Sequence, residues 1–261
     1  MKTFNYHVAK DSKEASKLTS SSSVFLAGGM TSVPSLKLGL ATYKDVIDIK
    51  HIKKLSGIKV SSKSVTIGAT TKHTEVANSK DVKKAIPSLA KLASRIGDAQ
   101  VRNRGTIGGS IANNDPSACY PSACMALNAI IHTNNRKIKA SNFFKGMFET
   151  TLKKGELIES VEFQIPEKSN YQKHPNPASR YAIVGVYLAK HKKEVNVAVT
   201  GAKSAVYIDK DLSKALSSSF SVSAIDGIEL DNSEMNTDIH ASSEYRASLV
   251  VTYAKKAVEA C

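Results

Sequence analysis

The chain has only three cysteines, Cys119, Cys124 and Cys261. An odd count without a paired framework excludes a small disulfide-stapled scaffold. None of the spacings is C-x-x-C, so there is no ready ligand set for a structural zinc or an iron–sulfur cluster. Long apolar runs are missing too. No stretch reaches the ~18 residues that a transmembrane helix needs. The opening "MKTFNYHVAKDSKEASKL" contains no apolar segment of the signal-peptide kind, which predicts a cytoplasmic protein. Aromatic residues make up 6% of the chain and do not interleave with its basic residues. The formal net charge of +14 therefore does not read as a nucleic-acid surface. Lysine doublets are scattered ("HIKKL", "DVKKAI", "HKKEV") as on a solvated face, with docking to acidic partners or a membrane surface as the other use of the charge. The G-x-G-x-x-G and G-x-x-x-x-G-K-[ST] phosphate motifs are both absent. His51, His73, His132, His174, His191 and His240 fall at no metal-ligand spacing, and no nucleophile–base set is legible.

What is present is an ordinary globular composition, 41% hydrophobic and 23% charged over 261 residues, enough for one large domain or two modest ones. "TFNYHVAK" alternates as a strand, and "DSKEASKLTSS" reads as a short helix capped by Asp11 or Ser12. "SVFLAGGM" is a strand stopped in a glycine turn, "VPSLKLGLA" starts a helix at Pro34, and "DVIDI" is a strand. Val65 and Ile67 mark another strand, followed by a short helix in "HTEVANS". In "SLAKLASRIG", Leu89, Leu92, Ala93 and Ile96 have helical spacing, closed by Gly97. From Val101 to Ala123 no period is legible, and so long an unstructured connection is commonly functional. "SACMALNAIIHTN" reads as helix then strand, and "GELIESVEFQIP" as a strand. Glu167 to Ser179 is polar, holds two prolines and reads as a boundary. Beyond it, "YAIVGVYLAK", "EVNVAVTGA" and "SAVYI" predict three strands. A terminal helix then presents Leu249, Val250, Tyr253 and Ala257 on one face.

Two stretches carry chemistry: "AGGMT" at Ala27–Thr31 and "GTIGGS" at Gly105–Ser110. Glycine lacks Cβ, so a paired-glycine turn lets backbone approach a ligand closely. Successive N–H groups in such a turn form a concave nest for an anion, and the flanking Thr and Ser hydroxyls add donors. Either pair alone reads first as a tight structural turn. Together the two could clamp a pyrophosphate from both sides.

These stretches, with "IGATTKHTEVANS", "IGDAQVRNRGTIGGSIANNDP", "FETTLKKGELI" and "NTDIHASSEYRASLV", resemble the FAD-binding medium subunits of the molybdenum hydroxylases. Within that family the pattern is nearest to the medium subunit of aerobic carbon monoxide dehydrogenase, with the flavin domain of xanthine dehydrogenase more distant. The resemblance runs along essentially the whole chain. It implies an α+β fold: a two-lobed FAD-binding domain of vanillyl-alcohol-oxidase type over residues 1–170 (lobes about 1–58 and 59–170), then a small C-terminal domain over 171–261 with a three-stranded antiparallel sheet and helices.

Carried over residue by residue, the resemblance implies that Ala27, Gly28, Gly29, Met30 and Thr31, with Thr106, Ile107, Gly108, Gly109 and Ser110, bind the FAD pyrophosphate. It makes Tyr187 the aromatic contact of the flavin ring and sets Asp115 at the ribose or phosphate side. Gly108→Val is then expected to lose FAD without unfolding. Cys119 stands where xanthine dehydrogenases carry an aspartate, and a thiol is a poor substitute acceptor. The function implied is electron transfer from [2Fe-2S] clusters of a small partner, fed by a molybdenum cofactor in a large partner, through FAD to a quinone. Alternatives are NAD as acceptor in a xanthine, aldehyde or heterocycle dehydrogenase, and a stand-alone flavin oxidoreductase. The implied assembly is a dimer of heterotrimers without nucleic acid, cytoplasmic or docked at the inner face of the cytoplasmic membrane.

Overall fold

The computed structural model describes residues 2–261. The first elements are β1 (Asn5–Val8), α1 (Ser12–Lys17), β2 (Ser23–Leu26), α2 (Ser32–Lys37) and β3 (Asp45–Asp48). Their strands form a parallel sheet in the order β1-β3-β2. In register, Tyr6 and Val24 both lie beside Val46. Asp11 caps α1 by accepting from the Glu14 N–H at 2.8 Å, which satisfies a donor that the first helical turn leaves open.

A second sheet follows. Its strands are β4 (Ile58–Val60), β5 (Ser64–Gly68), β6 (Ile130–Thr133), β7 (Lys137–Lys139) and, after a small hairpin of β8 (Phe144–Gly146) and β9 (Glu149–Thr150), β10 (Ile158–Gln164). The order is β4-β5-β10-β6-β7. Six helices lie between β5 and β6: α3 (His73–Asn78), α4 (Lys80–Ala85), α5 (Pro87–Ser94), α6 (Ala99–Arg104), α7 (Ile107–Asn113) and α8 (Tyr120–Ala126). Val65, Ile67, Val161 and Phe163 of the sheet share one core with Val76, Leu89, Leu92, Ile107, Ile111 and Tyr120 of the helices. The aperiodic stretch from Val101 to Ala123 is thus not an open loop. It is three short helices whose Gly, Asn and Pro content hides their period.

The third sheet runs β11-β12-β13-β14, with β11 at Lys168–Pro175, β12 at Ala182–His191, β13 at Glu194–Thr200 and β14 at Tyr207–Ile208. It carries α9 (Lys210–Ser218) and α10 (Ser243–Glu259). The sequence predicts three strands here, and the fourth is β11, which lies inside the stretch read as a boundary. Its alternation is concealed because one inward position is a lysine: Lys173 is 2% exposed. The strand β12 is covered on both faces. Val184, Val186 and Leu188 pack with α9 and α10, whereas Tyr187 and Ala189 join the core of the second sheet. No helix among the described residues is long and apolar enough to cross a membrane.

Candidate functional site

All three units meet around one cavity of about 470 Å³, within the range of small-molecule sites. The turn between β2 and α2 forms one wall. From Gly28 to Ser32, no acceptor among the described residues takes the backbone N–H groups; the first N–H in this region to find one is that of Val33, which donates to the Gly29 carbonyl at 3.0 Å. Gly29 has φ of +74°, a conformation that glycine adopts without steric cost. A Cβ on Gly28 would collide with the carbonyl of Arg104, so glycine is needed there to seat the turn against α6. The result is a run of unclaimed donors in a turn that lines the cavity, the composition of an anion-binding nest.

The opposite wall is built differently. Residues 69–72 zip against residues 105–108: Lys72 bridges Thr106, Ile107 N–H donates to the Thr71 carbonyl at 3.1 Å and Gly108 N–H to the Ala69 carbonyl at 2.9 Å. The Thr106 hydroxyl accepts from Gly109 N–H at 3.2 Å, and the Thr106 carbonyl accepts from Ser110 N–H. The first amides of α7 are therefore already engaged. This wall offers the cavity the surfaces of Thr106, Gly109 and Ser110 rather than a nest of free N–H groups.

Ala27, Gly28, Gly29, Met30, Thr31, Thr106, Gly109, Ser110 and Asp115 all line the cavity. Ile107 and Gly108 do not. Ile107 is a core residue, and a Cβ on Gly108 would lie 2.5 Å from the Ala69 Cβ, so its glycine serves the packing of α7 on the end of β5. Tyr187 is likewise displaced from its expected role: it is wholly buried, its hydroxyl hydrogen bonds Ser88 at 2.6 Å and its ring packs on Tyr171. The aromatic residue that does border the cavity from the C-terminal unit is Tyr181, 43% exposed. The expectation for Tyr187 came from the family resemblance of "YAIVGVYLAK"; Tyr181 opens that same stretch, just after the proline-containing segment read as a boundary.

Asp115 accepts from Ser117 N–H at 2.9 Å, and burial raises its carboxyl above the ordinary aspartate value. Cys119 lines the cavity as a free thiol. His73, missed by sequence reasoning, also borders it. Burial, reinforced by the Arg102 charge, holds its imidazole neutral with a pKa of about 4. Its Nδ1 has no partner among the described residues. No group of His, Cys, Asp and Glu among the described residues is arranged to hold a metal ion.

Residues 2–167 match the family described as the FAD binding domain in molybdopterin dehydrogenase. The glyceraldehyde dehydrogenase medium chain of Sulfolobus acidocaldarius is 39% identical over 170 residues, 63% of this chain and 60% of that protein; the aligned part thus spans about three fifths of that relative. The carbon monoxide dehydrogenase medium chain of Hydrogenophaga pseudoflava is 30% identical over 278 residues, 98% of this chain and 96% of that one. A solved structure of carbon monoxide dehydrogenase from Hydrogenophaga pseudoflava, lacking the Mo-pyranopterin moiety of the molybdenum cofactor, contains a chain that matches with a TM-score of 0.86 at 27% identity, covering 99% of this chain and 97% of that one.

Proposed function

The chain belongs to the FAD-binding family of the molybdopterin dehydrogenases, as a medium subunit with FAD as its cofactor, and from that premise we propose that the cavity between its three units is the flavin site. The observation that carries this reading is the row of unclaimed amides from Gly28 to Ser32. These would hold the pyrophosphate, with Ala27 to Thr31 supplying that wall and Thr106, Gly109 and Ser110 closing on it from the other side. Asp115 has a carboxylate oxygen to spare for a ribose hydroxyl. Tyr181, rather than Tyr187, would lie against the flavin ring and restrict access to it.

When bound, FAD takes electrons singly and passes on a pair, and the protein's part is to position and tune it. This chain has too few cysteines to carry iron–sulfur clusters, so the electrons arrive from companion subunits: a small one with [2Fe-2S] clusters and a large one with the molybdenum cofactor. A quinone is the proposed acceptor, with NAD as the alternative. The +14 charge suits docking on acidic companions or on an anionic inner membrane face in the cytoplasm.

Fluorescence titration of the purified chain tests the site. FAD should bind and ADP should compete, while FMN, which has a single phosphate, should bind at least about tenfold more weakly, the equivalent of about 1.4 kcal/mol. Equal affinity for FMN and FAD would remove the pyrophosphate assignment. For the substrate, carbon monoxide is the first reading, supported by the near full-length likeness to a carbon monoxide dehydrogenase medium chain. The higher identity to a glyceraldehyde dehydrogenase medium chain favours aldehydes as the second. Dye reduction by the complex assembled with its companions, using each substrate in turn, decides between them.

A further inference from the structure

Lys173 is 2% exposed in the middle of β11. Its ammonium donates to the Arg95 carbonyl at 2.7 Å and to the Arg180 carbonyl at 2.8 Å. No carboxylate among the described residues lies within ion-pair distance of it. Its third contact is the Sγ of Cys119 at 3.5 Å. Sulfur is a weak hydrogen-bond acceptor, and a serine or aspartate there would serve a buried ammonium better. What a thiol adds is two-electron oxidation chemistry. Cys119 also borders the cavity, so a small oxidant entering it comes against the residue whose thiol lies beside the lysine nitrogen.

We infer that Cys119 and Lys173 are a modification site that closes as an N–O–S bridge when hydrogen peroxide enters the cavity. The first peroxide oxidises the thiol to a sulfenic acid and leaves as water. The second joins that sulfenic acid to the lysine amine with loss of two further waters. The S–H bond and one N–H bond break, and S–O and O–N bonds form. Sulfur and nitrogen give up four electrons in all, the two peroxides accept them, and the extra proton of the ammonium goes to solvent. From the present 3.5 Å, an inserted oxygen asks sulfur and nitrogen to approach only part of the way that a direct S–N bond would require.

The bridge has a structural consequence. The bridged nitrogen keeps one N–H where the ammonium had three, so it can no longer serve both carbonyls. Arg180 sits in the left-handed region at φ +62°, held by Lys173 on its carbonyl and by its own N–H on the Asn176 carbonyl at 2.9 Å. Releasing the first of these ties loosens the turn that presents Tyr181, leaving it to the second, to the Asn176 N–H on the Tyr181 carbonyl at 2.8 Å and to the Asn176 side chain, which accepts from Ala178 and Ser179. On the flavin reading above, bridging lowers the affinity of the cavity for FAD.

The test treats the full chain with hydrogen peroxide, alkylates remaining thiols and digests with trypsin. The expected product joins the peptide of residues 105–136 to that of 169–180, heavier than their sum by about 14 Da, one oxygen gained and two hydrogens lost. Dithiothreitol should return the two separate peptides. The joined species should be absent from Cys119→Ser and from Lys173→Gln; the serine variant serves if the lysine variant does not fold. Exposed Cys261 reports that oxidant was delivered. Recovery of Cys119 unmodified, or as sulfinic acid beside an intact Lys173, while Cys261 is oxidised, overturns the bridge. Affinity for FAD should fall about tenfold on oxidation and return on reduction, and a bridged protein with unchanged affinity overturns the coupling to Tyr181. If the reduced chain binds no FAD, the flavin reading fails while the mass result still decides the bridge.

Discussion

Gly108 and Gly109 are chain neighbours with different tasks. A Cβ at Gly108 would collide with Ala69, 2.5 Å from its Cβ and 2.8 Å from its carbonyl oxygen, whereas at Gly109 it meets only the Thr106 hydroxyl, at 2.9 Å. Gly108→Val should therefore destabilise the fold by about 3 kcal/mol through overpacking. Gly109→Val has only the Thr106 hydroxyl to displace, so it should lower the melting temperature less than Gly108→Val does and lose FAD. Parallel thermal melts and flavin titrations check both, and normal flavin content in Gly109→Val would exclude that residue from the site. This reverses the expectation from sequence, in which Gly108→Val separates binding from folding. His73 carries a pH prediction. Its folded pKa of about 4 lies below the ordinary ~6.5 of histidine, so the unfolded chain takes up a proton first as pH falls. Stability is complete above pH ~6.5 and declines towards pH 4, by up to about 3 kcal/mol. In His73→Phe that part of the decline should vanish from the pH profile of urea unfolding. Residue chemistry was legible in the sequence where glycine pairs stood beside hydroxyls. The direction of a side chain was not: Tyr187 is wholly buried, whereas Tyr181 borders the cavity.

At the scale of elements, strands with plain alternation were readable: β5 from Val65 and Ile67, β10 from its apolar run, α10 from its repeating face. The elements that escaped are those in which polarity serves burial. β11 hides behind inward Lys173, and α7 behind its paired glycines and its asparagine end. Asn114 there explains a further device. It is 1% exposed with φ of +44°, and its side-chain amide donates to the Gly146 and Glu149 carbonyls, both at 2.8 Å, while its own carbonyl accepts from Phe148 N–H. One residue thus ends α7 and anchors the hairpin β8–β9. Asn114→Ala loses two buried hydrogen bonds and adds left-handed strain, at about 2–3 kcal/mol. Denaturant unfolding should register that loss, and early proteolytic cleavage in the hairpin should accompany it.

Across the whole molecule, the C-terminal unit is fastened by Arg246. Its guanidinium donates to the Ile183 carbonyl at 2.6 Å and the Gly201 carbonyl at 3.0 Å, and pairs with Asp238 at 2.7 Å. Arg246→Met leaves two carbonyls without their buried donor and should cost about 3 kcal/mol, read as an earlier unfolding midpoint. Because that unit also presents Tyr181 to the cavity, flavin affinity should weaken in the same variant. The order of sheets followed from the run of strands in the sequence, but their meeting around one cavity did not, since it depends on contacts between residues far apart in the chain, from Cys119 with Lys173 to Ser16 with Gly155.

The double burial of β12 bears on whether this protein can be divided. The family match ends at residue 167, which invites excision of a minimal flavin-binding fragment there. Such a cut would strip Tyr171, Tyr187, Ala189 and Ala198 from the core they share with Leu89 and Tyr120. The remnant would expose a contiguous apolar face of the kind that drives aggregation. The end of the family match therefore falls inside one packed core, and a fragment cut at residue 167 should be recovered insoluble unless residues 168–261 accompany it.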